Sequence, residues 1–251
     1  GGTPTYYAVA DLERFYRAIA AHFTFTGDAE VGIEVDPRVT TDEHIDRLRA
    51  IGFNRLSMGV QDFAPEVQEA VHRIQRHDST AAMVARARKV GWHSVNIDLI
   101  YGLPFQTVEG FGHTLDQVIA IHPDRVAVYS FAYVHWMKPH MKHLPAEAMP
   151  DAGLKLALIS LAVDRFTAAG YRAIGMDHFA LPGDELSRAA ETRTLSRNFM
   201  GYTVQSARDM LAVGVSGIGD VQGAFVQNVK KLPEYDAAIE AGRFPVERGF
   251  R

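Results

Sequence analysis

Three short stretches of the sequence alternate polar and apolar residues, and longer stretches with helical periodicity separate them. Helices between strands predict a parallel sheet, and a parallel strand that is covered on both faces is apolar throughout. A repeated polar face therefore predicts strands that line a cavity on one side and pack against helices on the other. An antiparallel sheet with one solvated face gives the same alternation, although the helical segments disfavour it. The polar sets are Gly32, Glu34 and Asp36, then Arg55, Ser57, Gly59 and Gln61, then Ser94, Asn96 and Asp98.

The order of these elements predicts an α/β fold, which we interpret as a partial (β/α) barrel. Residues 1–180 form the predicted barrel segment, and residues 181–251 form a predicted irregular α/β extension that packs on it. Thr41 is a candidate N-cap of a helix that stops at Gly52. The predicted strands are 31–35, 55–60, 95–99, 125–130 and 171–175, and a last helix is predicted at 232–241.

Polar residues also concentrate where the predicted strands end, which is the edge at which α/β barrels place their active sites. A buried carboxylate without a partner costs several kcal/mol, so acids at this edge need cations or hydrogen-bond donors. Arg55 and Arg73 are candidate partners, and a bound cationic ligand could supply the rest. The polar pairs at the strand ends are Glu34 and Asp36, Gln61 and Asp62, Asp98 and Tyr101, and Asp177 and His178.

The composition favours a small-molecule ligand. A formal net charge of -4, without a block of basic residues, gives no attraction for nucleic acid or for an anionic membrane. No apolar stretch reaches the ~20 residues of a membrane span and no secretory leader precedes the first domain, so we expect a cytoplasmic protein. Cysteine is absent from the sequence, which excludes a thiolate-held metal cluster within these residues.

Four motifs follow one another along the chain. They are Gly1-Gly2-Thr3-Pro4-Thr5, Ile33-Glu34-Val35-Asp36-Pro37-Arg38, Arg55-Leu56-Ser57-Met58-Gly59-Val60-Gln61-Asp62-Phe63 and Asn96-Ile97-Asp98-Leu99-Ile100-Tyr101-Gly102-Leu103-Pro104. With these motifs the chain resembles the radical S-adenosylmethionine (SAM) core of the oxygen-independent coproporphyrinogen III oxidase family. Three later stretches are similar to the oxidase itself: Gly175-Met176-Asp177-His178-Phe179-Ala180, Arg197-Asn198-Phe199 and Gly201-Tyr202-Thr203.

The resemblance implies an oxidoreductase of anaerobic haem (porphyrin) biosynthesis. A reduced 4Fe-4S cluster cleaves SAM to methionine and a deoxyadenosyl radical, which removes a hydrogen from a propionate side chain of coproporphyrinogen III. Loss of carbon dioxide and one electron leaves a vinyl group, and reaction at two propionates gives protoporphyrinogen IX. The implied partners are this small-molecule substrate and an electron donor to the cluster, and we expect a monomer.

The resemblance further implies two SAM molecules in one cavity. SAM carries an ammonium, a sulfonium, a carboxylate and ribose hydroxyls, so acidic, amide and guanidinium groups suit it. The same side chains also have ordinary structural roles, such as a strand-end salt bridge for Glu34 or a turn cap for Asp98. Gly1 and Glu34 are the implied contacts of the cluster-bound SAM, and those of the second are Gly2, Thr3, Gln61, Arg73, Asp98, Ala132 and Ile218.

The chain departs from the family in its lack of cysteine. The family holds its cluster with a C-x3-C-x2-C motif, so we expect that motif upstream of Gly1, a small domain beyond Phe250, and no activity from this chain alone. Phe199 is a candidate contact of the substrate or of the second SAM. Met200 stands where the family commonly has a glutamine, which removes a hydrogen-bonding group there.

Two other functions stay open. A haem-binding relative that acts as a haem chaperone without oxidase activity shares the first motifs, although Asp177-His178-Phe179 and Arg197-Asn198-Phe199 favour the oxidase. A cofactor-free barrel acting on sugars or phosphates is the third. We interpret the loop with His135, His140 and His143 as exposed or porphyrin-contacting rather than as a metal site, because no carboxylate completes a ligand set.

Overall fold

The computed structural model describes residues 3–198, 201–204 and 207–251, and it divides into two compact units. Thr3–Arg193 form the first unit, and the described residues from Thr194 onward form the second. Within the first unit the strands are β1 (Gly32–Val35), β2 (Arg55–Gln61), β3 (Ser94–Tyr101), β4 (Arg125–Ser130), β5 (Arg172–Ile174) and β6 (His178–Ala180). Its α-helices are α1 (Val9–Ala20), α2 (Asp42–Ile51), α3 (Pro65–Ala70), α4 (His77–Lys89), α5 (Val108–Ile121), α6 (Ala152–Ala168) and α7 (Glu185–Glu191).

The six strands form one sheet in the order β1-β2-β3-β4-β6-β5. Strands β1 to β4 are parallel, whereas β6 runs antiparallel to both β4 and β5. The parallel α/β core is therefore confirmed. The predicted fifth strand exists as β5, but it does not join β4, because the chain turns back at Gly175 and inserts β6 between them.

The apolar faces of the parallel strands pack against the helices, as the alternation predicted. Along β2 the buried residues are Leu56, Met58 and Val60, and the residues between them are only partly buried. Burying one such side chain contributes about 1.5 to 3 kcal/mol, so these faces supply most of the driving force for folding. One cluster joins β1 and β2 to α2 and α4 through Ile45, Leu48, Met58, Val84 and Trp92. Another joins β3 and β4 to α5 and α6 through Leu99, Phe111, Leu115, Val128 and Phe166.

The helix boundaries follow from local capping. Thr41 accepts a hydrogen bond from the His44 amide and closes a capping box at the start of α2, which confirms the predicted N-cap. Gly52 ends α2 with a φ of 122°, a conformation that glycine adopts without a Cβ penalty. Thr107 caps α5 in the same way, through the amide of Gly110.

The second unit is more regular than the sequence predicted. It contains a hairpin of β7 (Ser196–Asn198) and β8 (Gly201–Thr203), and an antiparallel sheet in the order β11-β10-β9. These three strands are Ile218–Val221 (β9), Ala224–Asn228 (β10) and Val246–Phe250 (β11). Helix α8 (Leu232–Glu240) confirms the predicted last helix. The hairpin of β9 and β10 was not predicted from the sequence. Its tight turn is formed by Gln222 and Gly223, which both have positive φ.

Residues 181–193 belong to the first unit, thirteen residues beyond the end of the predicted barrel segment. Their helix α7 buries Leu186 and Ser187, and Asp184 pairs with Arg125 of β4. The assignment of 1–180 and 181–251 as separate folding domains stays a prediction. In the parts of the chain that the structure describes, no helix has both the length and the apolar character needed to cross a membrane.

We predict that Asp184→Ala destabilises the chain far more than Asp151→Ala. Both residues are N-caps, and each accepts a backbone hydrogen bond at 2.8 Å, from Leu186 and Leu154 respectively. Asp184 also holds the partly buried Arg125 guanidinium at 2.8 Å, so its removal leaves that charge without its ion-pair partner and costs about 3 to 5 kcal/mol, against ~1 kcal/mol for Asp151. Urea unfolding followed by circular dichroism measures both, and equal losses would contradict the packing of α7 on the sheet.

Candidate functional site

Polar side chains of neighbouring strands face the same side of the sheet, opposite the helix-packed apolar side. Glu34 of β1 pairs in register with Ser57 of β2, and Ser57 pairs with Asn96 of β3. Two residues further along, Gly59 pairs with Asp98. Because cross-strand partners project to the same face, these groups form one continuous polar surface.

The Asp98 carboxylate lies among neutral hydrogen-bond donors. Asn96 Nδ2 donates to its Oδ1 at 2.7 Å, and Ser57 Oγ donates to its Oδ2 at 3.2 Å. Burial raises the pKa of Asp98 to about 6, with the neighbouring charge of Glu34 adding to the increase and the hydrogen bond from Asn96 opposing it. Asp98 is therefore mostly ionised at neutral pH and unusually responsive to a cation placed beside it.

Gly59 explains how Gln61 and Arg73 join this surface. A β-carbon on Gly59 would point to the polar face and would lie 2.6 Å from Gln61 Nε2 and 3.2 Å from Arg73 Nη2. The space that a side chain would fill is thus occupied by the carboxamide and the guanidinium. Gly59 is the register partner of Asp98, so Gln61 and Arg73 lie over the strand next to that of Asp98.

Arg73 is fixed in this position by two contacts. Its Nη2 donates to the Gly59 carbonyl at 2.6 Å, and its Nη1 lies 3.2 Å from Asp36 Oδ2. Asp36 is buried and also binds Arg38 at 2.7 Å. Burial raises the pKa of Asp36, but the hydrogen bonds from Arg38 outweigh it and leave that pKa below its usual value. Asp36 is therefore a permanently charged anchor for Arg73.

Arg55 does not act as the predicted partner of the acids on the polar face. Its guanidinium pairs with Glu30 and with Glu185. Glu34 is exposed, and its side chain has no hydrogen bond or ion pair to any residue that the structure describes. The two acids on this face, Glu34 and Asp98, thus have an excess of negative charge that no lysine or arginine in the described parts neutralises.

His178 extends the polar face on the far side of β4. As the first residue of β6 it pairs in register with Ala127, which pairs with Asp98 in turn. Its Nδ1 lies 2.6 Å from Asp177 Oδ1, and its ring meets Tyr129 edge-on at 5.8 Å. The sequence placed Asp177 and His178 at a strand end, and the structure places them at the start of the antiparallel strand.

The remaining predicted residues are less closely grouped. Thr3 precedes a 3-10 helix, Pro4–Tyr6, whose buried Thr5 hydroxyl lies 2.8 Å from Thr40 Oγ1, just beyond the end of β1. Ala132 is exposed, two residues after β4. Ile218 is the first residue of β9 in the second unit and is partly buried there. Gly1, Gly2, Phe199 and Met200 lie outside the described residues.

Sequence reasoning missed Lys155 of α6. Its Nζ donates to the Phe131 carbonyl at 3.1 Å, and its Cε would lie 2.6 Å from a β-carbon on Gly102. Gly102 has a φ of 88°, so both its backbone and the crossing lysine require glycine. Lys155 thereby ties together the chain segments that follow β3 and β4, next to Ala132. A glycine in the Tyr-Gly-Leu-Pro turn was the available signal, but it did not identify the lysine.

The site can bind a small organic cation that also offers hydrogen-bonding groups. Two buried polar atoms beside it, Arg73 Nε and Asn96 Oδ1, have no hydrogen-bond partner among the described residues, which is consistent with a ligand or water that completes them. The donor set of carboxylates, carboxamide and guanidinium fits SAM. It does not fit an iron-sulfur cluster, because the sequence has no cysteine. Within the described residues, no group of three histidine, aspartate or glutamate side chains is arranged to hold a metal ion.

Comparison with known proteins agrees with this geometry. Residues 1–118 match the Radical SAM superfamily. The chain is 41% identical over 251 residues to the oxygen-independent coproporphyrinogen III oxidase of Pseudomonas aeruginosa, covering 99% of the chain and 55% of that relative. It is 44% identical over 229 residues to the enzyme of the same name from Thermostichus vulcanus, covering 91% of the chain and 70% of that relative.

A solved structure of coproporphyrinogen III oxidase from Escherichia coli, described as a radical SAM enzyme, superposes on the whole chain with a TM-score of 0.97 at 42% sequence identity. It confirms the predicted fold class, and the chain covers 58% of it. The chain spans about half the length of most of these relatives, since it covers 55% and 54% of two of them. On its identity to the relative from Thermostichus vulcanus and its structural agreement with the enzyme of Escherichia coli, the chain belongs to the oxygen-independent coproporphyrinogen III oxidase family of the radical SAM superfamily.

Proposed function

We propose that the protein carrying this chain removes carbon dioxide oxidatively from two propionate side chains of coproporphyrinogen III, giving the vinyl groups of protoporphyrinogen IX in haem biosynthesis. Members of the radical SAM family use SAM and a 4Fe-4S cluster. The observation that carries the proposal is the polar face around Gly59, where Gln61 and Arg73 lie over the glycine and Asp98 is its cross-strand partner, in a chain that is 44% identical to a named oxidase.

The charges of SAM complement this face. Its sulfonium and ammonium suit Asp98 and Glu34, whose mutual repulsion a cation would relieve. Its carboxylate suits the Arg73 guanidinium, which Asp36 and the Gly59 carbonyl hold in one orientation. The Gln61 carboxamide offers both a donor and an acceptor to ribose or adenine groups.

We propose two SAM molecules rather than one. Glu34 on β1 is exposed and Asp98 on β3 is partly buried, so the two carboxylates present different environments at separate positions of one face. Glu34 would contact the cluster-bound SAM. The second would be surrounded by Thr3, Gln61, Arg73, Asp98 and Ala132.

The contribution of these residues to the reaction is binding and orientation. SAM supplies the group that abstracts hydrogen from the substrate. Fixed hydrogen bonds to its ribose and amino-acid parts would keep that group within reach of one propionate carbon, and a misplacement of ~1 Å can cost about 100-fold in rate. No residue here can supply a thiolate to the cluster, so the cluster ligands would come from elsewhere in the complete protein. We further propose a cytoplasmic monomer that receives electrons from a separate donor.

We predict that the chain binds SAM about tenfold more tightly at pH 7 than at pH 5. The pKa of Asp98 is raised to about 6, so the carboxylate that attracts the cation is largely protonated at pH 5 and ionised at pH 7. Isothermal titration calorimetry at half-unit steps of pH measures the change. Affinity that is independent of pH would contradict the role given to Asp98.

Asp98→Asn isolates the contribution of Asp98 from those of Glu34 and His178, whose charges influence the pKa of Asp98. The variant should bind SAM weakly at every pH and lose the dependence. Because the folded state raises the Asp98 pKa, the wild-type chain loses stability as pH rises from about 4 through 6, and the variant should be no less stable at pH 7.5. Asp116→Asn, at an exposed ion pair with Arg165, is the matched control and should bind as wild type.

We also predict that this chain supports turnover when it replaces the corresponding segment of the Escherichia coli oxidase. The chimera, loaded with its cluster and supplied with coproporphyrinogen III and SAM without oxygen, should release carbon dioxide at a rate within about tenfold of the parent. Glu34→Gln in the chimera should lower the rate by about 100-fold, through lost orientation of SAM, whereas Glu109→Gln at an exposed position should not.

A folded chimera that binds SAM but releases no carbon dioxide would overturn the proposed reaction. Haem titration would then test the chaperone, because a chain that carries haem shifts the haem absorption band on binding. Titration with haem that leaves the absorption band unchanged would exclude that alternative as well.

A further inference from the structure

The end of β2 adopts an unusual backbone conformation. Gln61 has a φ of 70°, in the left-handed region that costs a residue with a side chain about 1 to 2 kcal/mol. The register with β3 shifts between Gly59 and Gln61, and the Asp62 amide donates back to the Val60 carbonyl at 2.9 Å. This turn folds the Gln61 carboxamide over Gly59, where it meets Arg73.

The residue that follows is a buried acid. Asp62 is only 2% exposed, and its carboxylate accepts three hydrogen bonds from neutral donors. The Ala64 amide and the Thr114 hydroxyl each donate to Oδ1 at 2.7 Å, and Gln106 Nε2 donates to Oδ2 at 2.6 Å. Burial raises the pKa of Asp62 against these hydrogen bonds, because no lysine or arginine in the described part of the chain forms an ion pair with it.

Gln106 connects this carboxylate to the end of β3. Its Oε1 accepts from the amides of Gly102 and Leu103 at 2.6 and 3.0 Å, and its Nε2 also donates to the Ile100 carbonyl at 2.8 Å. On the helical side, the Thr114 hydroxyl accepts from the Phe63 amide at 3.2 Å. One network of uncharged donors around one carboxylate thus fixes the backbone after β2, the turn after β3 and helix α5.

A neutral side chain in this place would avoid the cost of burying a charge, and replacing buried ionic groups with well-packed apolar ones is often neutral or stabilising. A carboxylate has two oxygens that both accept hydrogen bonds, and here they accept from three donors that belong to three different segments. Those bonds fix the residue directly after Gln61, and strained backbone persists only where its surroundings over-determine it. The network therefore holds the left-handed turn that aims the carboxamide.

We propose that Asp62 is a positioning residue, which holds Gln61 in its left-handed turn so that the carboxamide is presented to the SAM molecule beside Asp98 and Arg73. The inference rests on the proposed function, because it assigns Asp62 a role in binding that it exerts only through Gln61. Asp62 itself touches no ligand, since its carboxylate is sealed by Ala64, Thr114 and Gln106.

A double-mutant cycle on SAM affinity tests this dependence. Calorimetry on the wild-type chain, Asp62→Asn, Gln61→Ala and the double variant gives four dissociation constants. In Asp62→Asn an amide group faces donors, so the turn loosens and SAM affinity should fall about tenfold. In the Gln61→Ala background the same substitution should change the affinity by less than twofold, because the carboxamide that it positions is gone.

A tenfold loss in both backgrounds would overturn the inference, since Asp62 would then act without Gln61. The proposed function fails separately, if the wild-type chain itself binds no SAM. Should Asp62→Asn not fold, Thr114→Val removes one donor to the same carboxylate and completes the same cycle with a smaller loss of stability. Asp116→Asn, the same substitution at an exposed position of α5, is the control and should leave the affinity unchanged in both backgrounds.

Discussion

The site depends on a partly buried carboxylate that hydrogen-bonds to neutral donors and forms no ion pair with a lysine or arginine of the described residues. Asp98 receives hydrogen bonds from Asn96 and Ser57, which orient it but do not neutralise it, and burial raises its pKa to about 6. The charge of such a carboxylate remains available to a cationic ligand, whereas an ion pair within the protein would already neutralise it. The exposed Glu34 on β1, two strands away, adds a second negative charge to this face that no ion pair neutralises within the described residues.

The two faces of the sheet therefore serve different ends. The helix-packed face is apolar and close-packed, and it supplies the stability that allows the other face to carry unneutralised acids. On the polar face the smallest residue matters most, because Gly59 leaves the space in which Gln61 and Arg73 lie beside Asp98. Any side chain at that position would displace one of the two groups, so the glycine shapes the site without contributing a functional group.

Strands β1 to β3 could be predicted from period-two alternation, because each contains enough residues to show which face is buried. Strand β4 does not alternate, since it buries three consecutive residues. Strand β6 has only three residues and follows a glycine turn, so its insertion between β4 and β5 depended on pairing that no local pattern encodes. The grouping of Glu34 with Asp98 followed from strand order and periodicity. The same alternation placed Gln61 on the polar face, but its position over Gly59 depends on the bulge that follows Gly59. The placement of Arg73 could not be derived from the pattern, since it depends on an anchor, Asp36, that the sequence grouped with the cavity acids. Lys155 crosses Gly102 and donates to the Phe131 carbonyl, and both residues are far from it in sequence. No periodicity reveals such a contact.

The proposed SAM site lies on the polar face beside Gly59, between Asp98 on one side and Gln61 with Arg73 on the other. A crystal structure of the chain grown with SAM tests it most directly, through the difference density on the polar face of the sheet. We expect density for the sulfonium and amino-acid part within hydrogen-bonding or ion-pair distance of Asp98 and Arg73. Well-ordered SAM bound elsewhere, with the polar face filled only by water, would contradict it.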